Sequence, residues 1–334
     1  MRIAVWLFCV AMAGGLGAWP RSSYAEGFGP FPVRNFQPIQ MLVLGMPGDR
    51  ATVLRQGTFD VRVELADTAS IFNELTPYSS AEVKFETLRS GLFFRYGLTD
   101  RFEVAMEVPA VYRFQGVLNG AITATEQATT GLSGARRDLK NLGYAYTVSP
   151  GNRTAFQGGQ DQWGLGDISL MSKYQFVRQT ETLPAVSLRF AVKAPSGDAS
   201  RGFGSGHPDA GVGLALEKTF LSRWVTYVNV NAVFPVGPVG GLQVQPVVSA
   251  MTAVEYLWSE HVSFTMHFDY YSSAFHGTGL ILLDRGVTEV VLGFNYQLQP
   301  HLLWQVYGVE NVDFITGGSA DLTLSTVLTY RFES

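Results

Sequence analysis

Apolar residues recur at every second position along most of the chain after residue 56. In the stretch FFRYGLTDRFEVAMEVP (93–109), Phe102, Val104, Met106 and Val108 alternate with Glu103, Ala105 and Glu107. Strict alternation is typical of a β-strand that has one apolar and one polar face. The pattern therefore predicts strands, each with its carboxylates on the face opposite the apolar row.

Twelve runs show this pattern, and most are ten or more residues long. They cover residues 57–66, 83–97, 101–112, 166–177, 184–194, 208–220, 223–234, 243–258, 261–272, 286–298, 301–311 and 320–332. Strands of soluble globular proteins average about 5–6 residues. A tilted strand that crosses a bilayer needs about 9–11. The lengths favour membrane-spanning strands.

The connections between these runs alternate between short and long. Five are short, at 98–100, 178–183, 221–222, 259–260 and 299–300, and six are longer, at 67–82, 113–165, 195–207, 235–242, 273–285 and 312–319. Short turns on one rim and long loops on the other are typical of outer-membrane barrels. We predict an all-β, antiparallel transmembrane barrel of twelve strands, within a range of ten to fourteen, with short periplasmic turns and long extracellular loops.

A secreted soluble β-sandwich is the alternative, because it shows the same alternation. Strand length and the asymmetry of the two rims favour the barrel. In a barrel the apolar rows face lipid and the intervening polar residues face the lumen. The lumen candidates are Arg89, Arg95, Glu103, Glu107, Arg189, Lys193, Glu217, His267, Asp269 and Arg331. Two interpretations of this set stay open: a polar conduit that selects solutes, or an interior closed by ion pairs.

The first 25 residues have the features of a secretory signal peptide. Arg2 precedes an apolar stretch at 3–16, and Ser23-Tyr24-Ala25 offers small residues at a cleavage site. We therefore expect the mature chain to begin at Glu26. Cys9, the only cysteine of the sequence, falls in the removed part, so the mature chain has neither a disulfide nor a cysteine-ligated metal.

Residues 26–56 are rich in proline and glycine and make a poor strand. They precede the barrel, predicted over 57–334, and would be either a periplasmic tail or a plug in the lumen. The apolar stretch 39–45 favours docking. If the segment is a plug, its polar residues Arg34 and Asn35 should meet inward charges. Glu103 and Glu107 are then the predicted partners of Arg34.

Charge and composition exclude other classes of protein. Loss of Arg2 and Arg21 leaves 22 of the 24 basic residues against 28 acidic ones, a formal charge of −6, which is no footprint for nucleic acid. The mature sequence has no apolar run near the ~20 residues that a spanning helix needs. The sequence GFGSG (202–206) resembles a phosphate loop, but no helical pattern follows it, as phosphate binding requires.

Catalytic and metal-binding patterns are weak. His267 and Asp269 share a strand face, but Ser263, the candidate nucleophile, lies four residues away at ~3.3 Å per residue. The other histidines are scattered over loops and turns, without the spacing of metal ligands. We therefore predict no cofactor and keep a membrane-embedded lipid hydrolase as the least favoured function.

Several stretches together carry a family resemblance: PVRNFQP (32–38), ETLRSGLFFRYGLTDRFEVAMEVP (86–109), GLGD (164–167), VKAPSGD (192–198) and GFGSGHPDAGVGLAL (202–216). In these stretches and their order, the chain resembles a bacterial outer-membrane barrel family, domain of unknown function three-one-eight-seven. The resemblance covers most of residues 28–332. It implies the barrel fold and no established activity.

The favoured function is passive passage or uptake of a small solute, with an apolar solute as one option. A barrel with a closed lumen, acting in structure or in surface interactions through the loop 113–165, is the alternative. The expected location is the outer membrane of a Gram-negative bacterium, after export. The expected partners are outer-membrane lipid and the barrel-assembly machinery, with the protein working as a monomer. The sequence does not identify the solute.

Overall fold

A computed structural model describes residues 26–312, 318 and 320–333. The predicted signal peptide lies outside the described residues. One antiparallel sheet contains fifteen strands. They are β1 (Phe59–Leu75), β2 (Ser80–Thr99), β3 (Phe102–Phe114), β4 (Ala145–Ser149), β5 (Phe156–Gln157), β6 (Gln162–Leu165), β7 (Ser169–Val177), β8 (Ala185–Lys193), β9 (Asp209–Phe220), β10 (Trp224–Pro235), β11 (Val247–Leu257), β12 (Val262–Tyr271), β13 (Val287–Gln299), β14 (Leu302–Asn311) and β15 (Leu322–Phe332).

Twelve of these strands close into a barrel, as predicted. Each pairs with its neighbour in the order β1-β2-β3-β7 and then onward to β15, and β1 pairs with β15 from Phe59↔Phe332 to Ala69↔Leu322. The short strands β4, β5 and β6 add only to the long-loop rim, where β4 pairs with β2 and β6 with β3. Closure leaves no free sheet edge around the wall.

The predicted short turns are present, but the connection predicted at 67–82 is much shorter. Strands β1 and β2 continue beyond the rest of the wall, and their pairing runs to Leu75↔Ser80. A tight turn joins them, in which the Thr76 N–H donates to the Ser79 carbonyl at 2.8 Å. Beyond the membrane a strand needs no apolar face, so apolar and polar residues no longer alternate strictly there. For this reason the prediction of a loop at 67–82 was wrong.

Short helices lie in the long loops. They are α1 (Leu118–Ala128), α2 (Gly134–Asp138) and α3 (Ile281–Asp284), with 3-10 turns at Pro150–Asn152 and Ala199–Arg201. A further 3-10 turn, Gln40–Leu42, lies before β1. Helices α1 and α2 cover the extended β1–β2 hairpin, where Glu86 accepts the Asn119 N–H at 2.6 Å. In the described part of the chain, no helix is long and apolar enough to cross a membrane.

The two faces of the wall follow the predicted alternation. On β1, Val63 and Leu65 are 42% and 43% exposed on the outer surface, whereas Glu64 between them is fully buried inside. Near the short turns, the rings of Trp224 and Tyr256 pack at a tilt of 44° with centroids 4.8 Å apart. Tyr227, on the same strand as Trp224, faces inward and is fully buried, because its position on β10 belongs to the inward row.

Candidate functional site

The N-terminal segment, residues 26–56, lies inside the barrel. Its side chains Phe31, Val33, Phe36 and Ile39 are at most 1% exposed. The segment runs from the short-turn rim to the 3-10 turn at Gln40–Leu42 and then returns to the same rim. It contributes no strand to the sheet. Inward-facing residues of the wall, Glu107 and Glu217 among them, contact the segment.

Arg34 joins the segment to a cluster of charges on β1, β2 and β3. Its Nη1 lies 2.9 Å from Glu107 and its Nη2 3.8 Å from Glu64. Arg89 contacts both carboxylates from the wall, at 3.1 Å from Glu64. The three wall residues alone carry a net charge of −1, so the arginine of the segment neutralises the cluster.

Glu103, the second predicted partner of Arg34, binds a different part of the segment. It accepts the Leu54 N–H at 2.7 Å and pairs with Arg95 at 2.9 Å and Lys173 at 3.1 Å. Four residues of strand place Glu103 about 13 Å nearer the short-turn rim than Glu107. At that level it meets the returning end of the segment and not Arg34.

Asp49 brings a negative charge of the segment into a basic part of the wall. Its carboxylate lies 2.9 Å from Lys173 and 3.9 Å from Arg95. Arg189 lies beside it and donates to the Pro47 carbonyl at 2.7 Å. Burial by itself raises the pKa of Asp49, but the charges of Lys173, Arg95 and Arg189 outweigh burial and hold the pKa well below its usual range.

Two further wall residues bind the segment, Glu217 through both charge and backbone and Lys193 through the backbone. Glu217 on β9 pairs with Arg50 at 2.6 Å and accepts the Ala51 N–H at 3.1 Å. Lys193 on β8 donates to the Leu42 carbonyl and lies 2.9 Å from Asp209. Both residues were predicted to face the lumen, and here both hold the segment.

His267 and Asp269 also face the segment. The Nε2 of His267 accepts the Phe31 N–H at 3.1 Å, and the ring of Phe31 stacks on the imidazole at 5.2 Å. Asp269 lies 3.6 Å from Nδ1. The Ser263 hydroxyl donates to Glu255, and among the described hydrogen bonds none joins Ser263 to His267. The geometry is that of an anchor for the segment and not of a nucleophile–base pair.

Two predicted site residues play smaller parts. Arg331 lies at the short-turn rim, where its side chain is 46% exposed and pairs with Asp60 at 2.9 Å. Asn35 accepts the N–H of Gln37 at 3.0 Å, a contact within the segment itself.

Sequence reasoning missed several wall residues that bind the segment. Lys173 and Glu255 lie in the inward rows of β7 and β11, and Glu255 accepts the Phe28 N–H at 3.1 Å and the Tyr227 hydroxyl at 2.6 Å. The alternation that identified Glu103 could also have identified both of them. Asp209 binds the Leu44 N–H at 2.8 Å but lies at the strand end, where alternation is weakest.

The inward charges are distributed unevenly around the wall. On the five strands β9 to β13 the inward rows hold no lysine or arginine, and their carboxylates are Asp209, Glu217, Glu255, Asp269 and Glu289. The inward cations lie on the remaining strands, β15, β1 to β3, β7 and β8, where Asp60, Glu64, Glu86, Glu103 and Glu107 accompany them: Arg62, Arg89, Arg95, Arg113, Lys173, Arg189, Lys193 and Arg331. The segment lies between these two sides.

Cavities lie beside the segment toward both rims of the barrel. The vestibule at the short-turn rim has a volume of about 740 Å³, and Arg55, Asp60, Gln305 and Thr329 are among its lining residues. The smaller cavity, toward the long loops, measures about 90 Å³. In the described part of the chain, no group of three acidic, histidine or cysteine side chains is arranged to hold a metal ion.

The profile of the family described as "Protein of unknown function (DUF3187)" matches residues 6–332. The chain belongs to the DUF3187 family. This confirms the resemblance seen in the sequence. No curated protein matches this DUF3187 chain.

Solved structures similar to this DUF3187 protein are outer-membrane barrels. An outer-membrane channel from Pseudomonas putida F1 superposes with a TM-score of 0.57 at 12% identity, over 84% of this chain and 98% of the channel. The NanC porin gives 0.47 at 10% identity, over 83% and 100%. The KdgM porin gives 0.44 at 7% identity, over 83% and 99%. At these identities the likeness to the channel shows the fold, which is that of Gram-negative outer-membrane barrels.

Proposed function

We propose that this protein is an outer-membrane channel for passive passage of a small solute and that the N-terminal segment plugs its lumen at rest. One observation carries the proposal: the segment obstructs the lumen yet forms no part of the sheet. It can therefore move without breaking a ladder hydrogen bond or opening a sheet edge. A wall strand could not do so, because every wall strand is needed for closure.

The chemistry of the contacts supports a plug that can be released. Beside its buried apolar side chains, the segment is held by ion pairs and by backbone N–H groups bound to carboxylates, as at Glu107, Glu217 and Glu255. Water can replace each of these bonds when the segment moves. If the segment served only to stabilise the barrel, buried ion pairs would bring little advantage, because apolar residues of similar volume stabilise a protein about as well.

A permanently closed barrel that acts through its surface is the second candidate. The apolar packing of Phe31 against Tyr307, with ring centroids 4.8 Å apart, and the burial of Phe36 favour it. The two candidates make opposite predictions for conductance. An apolar solute was one option from the sequence. Because charged residues line the wall of the lumen, such a solute would have to pass along the apolar side chains of the segment.

Deletion of residues 27–56 tests the proposal. The deletion removes none of the twelve strands, so the barrel should still fold and show heat-modifiable mobility on gels. In planar bilayers its single-channel conductance should be several times that of the intact mature protein. Unchanged conductance from a barrel shown to be folded would contradict the plug and favour the closed barrel.

Location and oligomeric state belong to the same proposal. The lumen and its plug come from one chain, which supports a monomer as the working unit. Fractionation should recover the mature protein from the outer membrane, where lipid covers the apolar rows of the wall. Recovery as a soluble periplasmic protein would contradict this location.

A further inference from the structure

The cavity of about 90 Å³ lies between the N-terminal segment and the loop that joins β8 to β9. Arg34 and Met41 line it from the segment, Thr87 and Val111 from the wall, and Phe203 from the loop. A water molecule in the liquid occupies about 30 Å³, and a cavity of about 150 Å³ accepts benzene. The space therefore suits a molecule of about four to six heavy atoms.

Hydrogen-bond donors without partners are concentrated on the lining residues. The Nε and Nη2 atoms of Arg34, the Nε of Arg113 and the hydroxyl of Thr87 are buried and make no hydrogen bond. An arginine nitrogen can only donate. Leaving buried polar groups unpaired costs free energy. These donors would therefore be satisfied by a ligand that accepts hydrogen bonds.

Arg113 is the strongest indication that the ligand is an anion. It is 2% exposed, and its terminal nitrogens donate to the carbonyls of Arg201 and Gly202. Among the described residues, no carboxylate forms an ion pair with it. The rings of Phe203 and Tyr146 flank the guanidinium at 4.3 and 5.3 Å and exclude water. A buried cation normally requires a balancing charge.

The other cations of the lining already have partners. Lys193 lies 3.0 Å from Asp167 and 2.9 Å from Asp209, and Arg89 pairs with Glu64 and Glu107. Arg34 is likewise paired with Glu107 and Glu64, so Arg113 is the lining cation that has no ion-pair partner among the described residues. The rest of the lining includes apolar side chains, among them Met41, Val111, Val233 and Val247.

We propose that this cavity binds a small monocarboxylate of two to four carbons, with its carboxylate at Arg113 and Thr87, which face each other across the β2–β3 pairing, and its alkyl chain against the valines. The proposal rests on the proposed function, because it identifies the class of solute that the channel would take. Size limits the chain length. The free donors select a carboxylate over an amide or an amine.

Calorimetric titration of the full mature protein in detergent with sodium propionate tests the site. Propionate should bind at low millimolar concentrations or tighter. Propionamide, which has the same shape without the charge, should bind at least about tenfold more weakly. Inorganic phosphate, which has no alkyl chain, should also bind more weakly. Equal binding of propionate and propionamide, tighter binding of phosphate, or no propionate binding up to about 50 mM would each overturn the proposal.

Two variants and one control locate the binding. Arg113→Gln removes the unbalanced charge, and Val111→Phe fills the cavity without touching a charge. Each should weaken propionate binding about tenfold or more. Arg201→Gln is the control, because Arg201 stacks on Phe203 at 5.2 Å but is exposed and outside the cavity lining. Wild-type affinity in a folded Val111→Phe protein would show that propionate binds elsewhere.

The outcomes separate the site from the channel. If propionate binds as expected but the truncated barrel conducts no better than the intact one, the carboxylate site stands and the proposed plug fails. If truncation opens the pore but propionate does not bind, the channel stands and the proposed solute class fails.

Discussion

Single carboxylates on the wall each perform two tasks. Glu103 pairs with Arg95 and also accepts the Leu54 N–H, and Glu217 pairs with Arg50 and also accepts the Ala51 N–H. A segment without sheet partners would leave its backbone N–H groups unpaired in the lumen, which is costly. The wall carboxylates satisfy them, so charge and backbone together fix the position of the segment.

Arg34→Gln should loosen the plug. The change leaves Arg89 as the one remaining ion-pair partner of the buried Glu64 and Glu107 among the described residues. Breaking a buried ion pair costs about 3–5 kcal/mol. The segment should then leave the lumen more often. We expect more frequent channel openings in planar bilayers and faster protease cleavage within residues 26–56.

The control and the rescue use the same chain. Arg55→Gln removes an exposed cation of the same segment and should change neither measurement. Adding Glu107→Gln to Arg34→Gln removes the surplus negative charge and should partly restore closure. Equal effects of Arg34→Gln and Arg55→Gln would show that the ion pair does not hold the plug.

At the scale of the strand, the environment of each face decides which residues it tolerates. On β14, the side chain of Gln305 faces the vestibule inside the barrel. Its neighbour Val306 lies on the outer surface, beside Leu292 and Leu324. A shift of one residue in the pairing register would exchange these two environments. The same alternation continues through the other eleven strands of the barrel wall.

Arginine substitutions at these two neighbours should have different costs. Val306→Arg places a charge in the lipid layer near the middle of β14 and should lower barrel stability by about 2–4 kcal/mol. Gln305→Arg places the same charge in the vestibule and should cost less, although it loses the hydrogen bond to Asn295. Urea unfolding in lipid or detergent measures both. Equal or reversed penalties would contradict the assignment of faces.

At the scale of the whole molecule, the segment rests against a wall that closes without it. Ala51 of the segment forms a small buried cluster with Ala185 and Ala215 of the wall. The mature chain contains no cysteine, since Cys9 lies in the predicted signal peptide. An engineered cysteine pair would therefore be the only disulfide in the mature protein.

The double variant Ala51→Cys, Ala215→Cys should lock the plug in place. Under oxidising conditions its conductance should fall to the baseline, because the segment is bonded to β9. Reduction with dithiothreitol should restore the wild-type openings. Each single variant is a control, and its conductance should be the same under oxidising and reducing conditions. Wild-type openings from a protein with a confirmed disulfide would show that passage does not require the segment to move.

The sequence by itself determined the wall of this protein. Lipid on one side and a polar lumen on the other act on every strand separately, so alternation within about ten residues is enough to predict twelve strands and to place Glu107 inside and Val108 outside. Outside the membrane this constraint on the two faces is absent, and the strands there could not be predicted. Beyond the membrane β1 and β2 need no apolar face, and their extension to Leu75 and Ser80 left no pattern to read.

Only the tertiary structure decided what fills the lumen. Arg34 and Glu107 are 73 residues apart in the chain, and their contact depends on the level that the N-terminal segment reaches inside a closed barrel. The path of the segment also decides that Glu103 accepts the Leu54 N–H and that His267 accepts the Phe31 N–H. Local pattern shows that these side chains point inward. Which inward groups meet is set by closure of the ring and by the path of a segment that has no periodicity of its own.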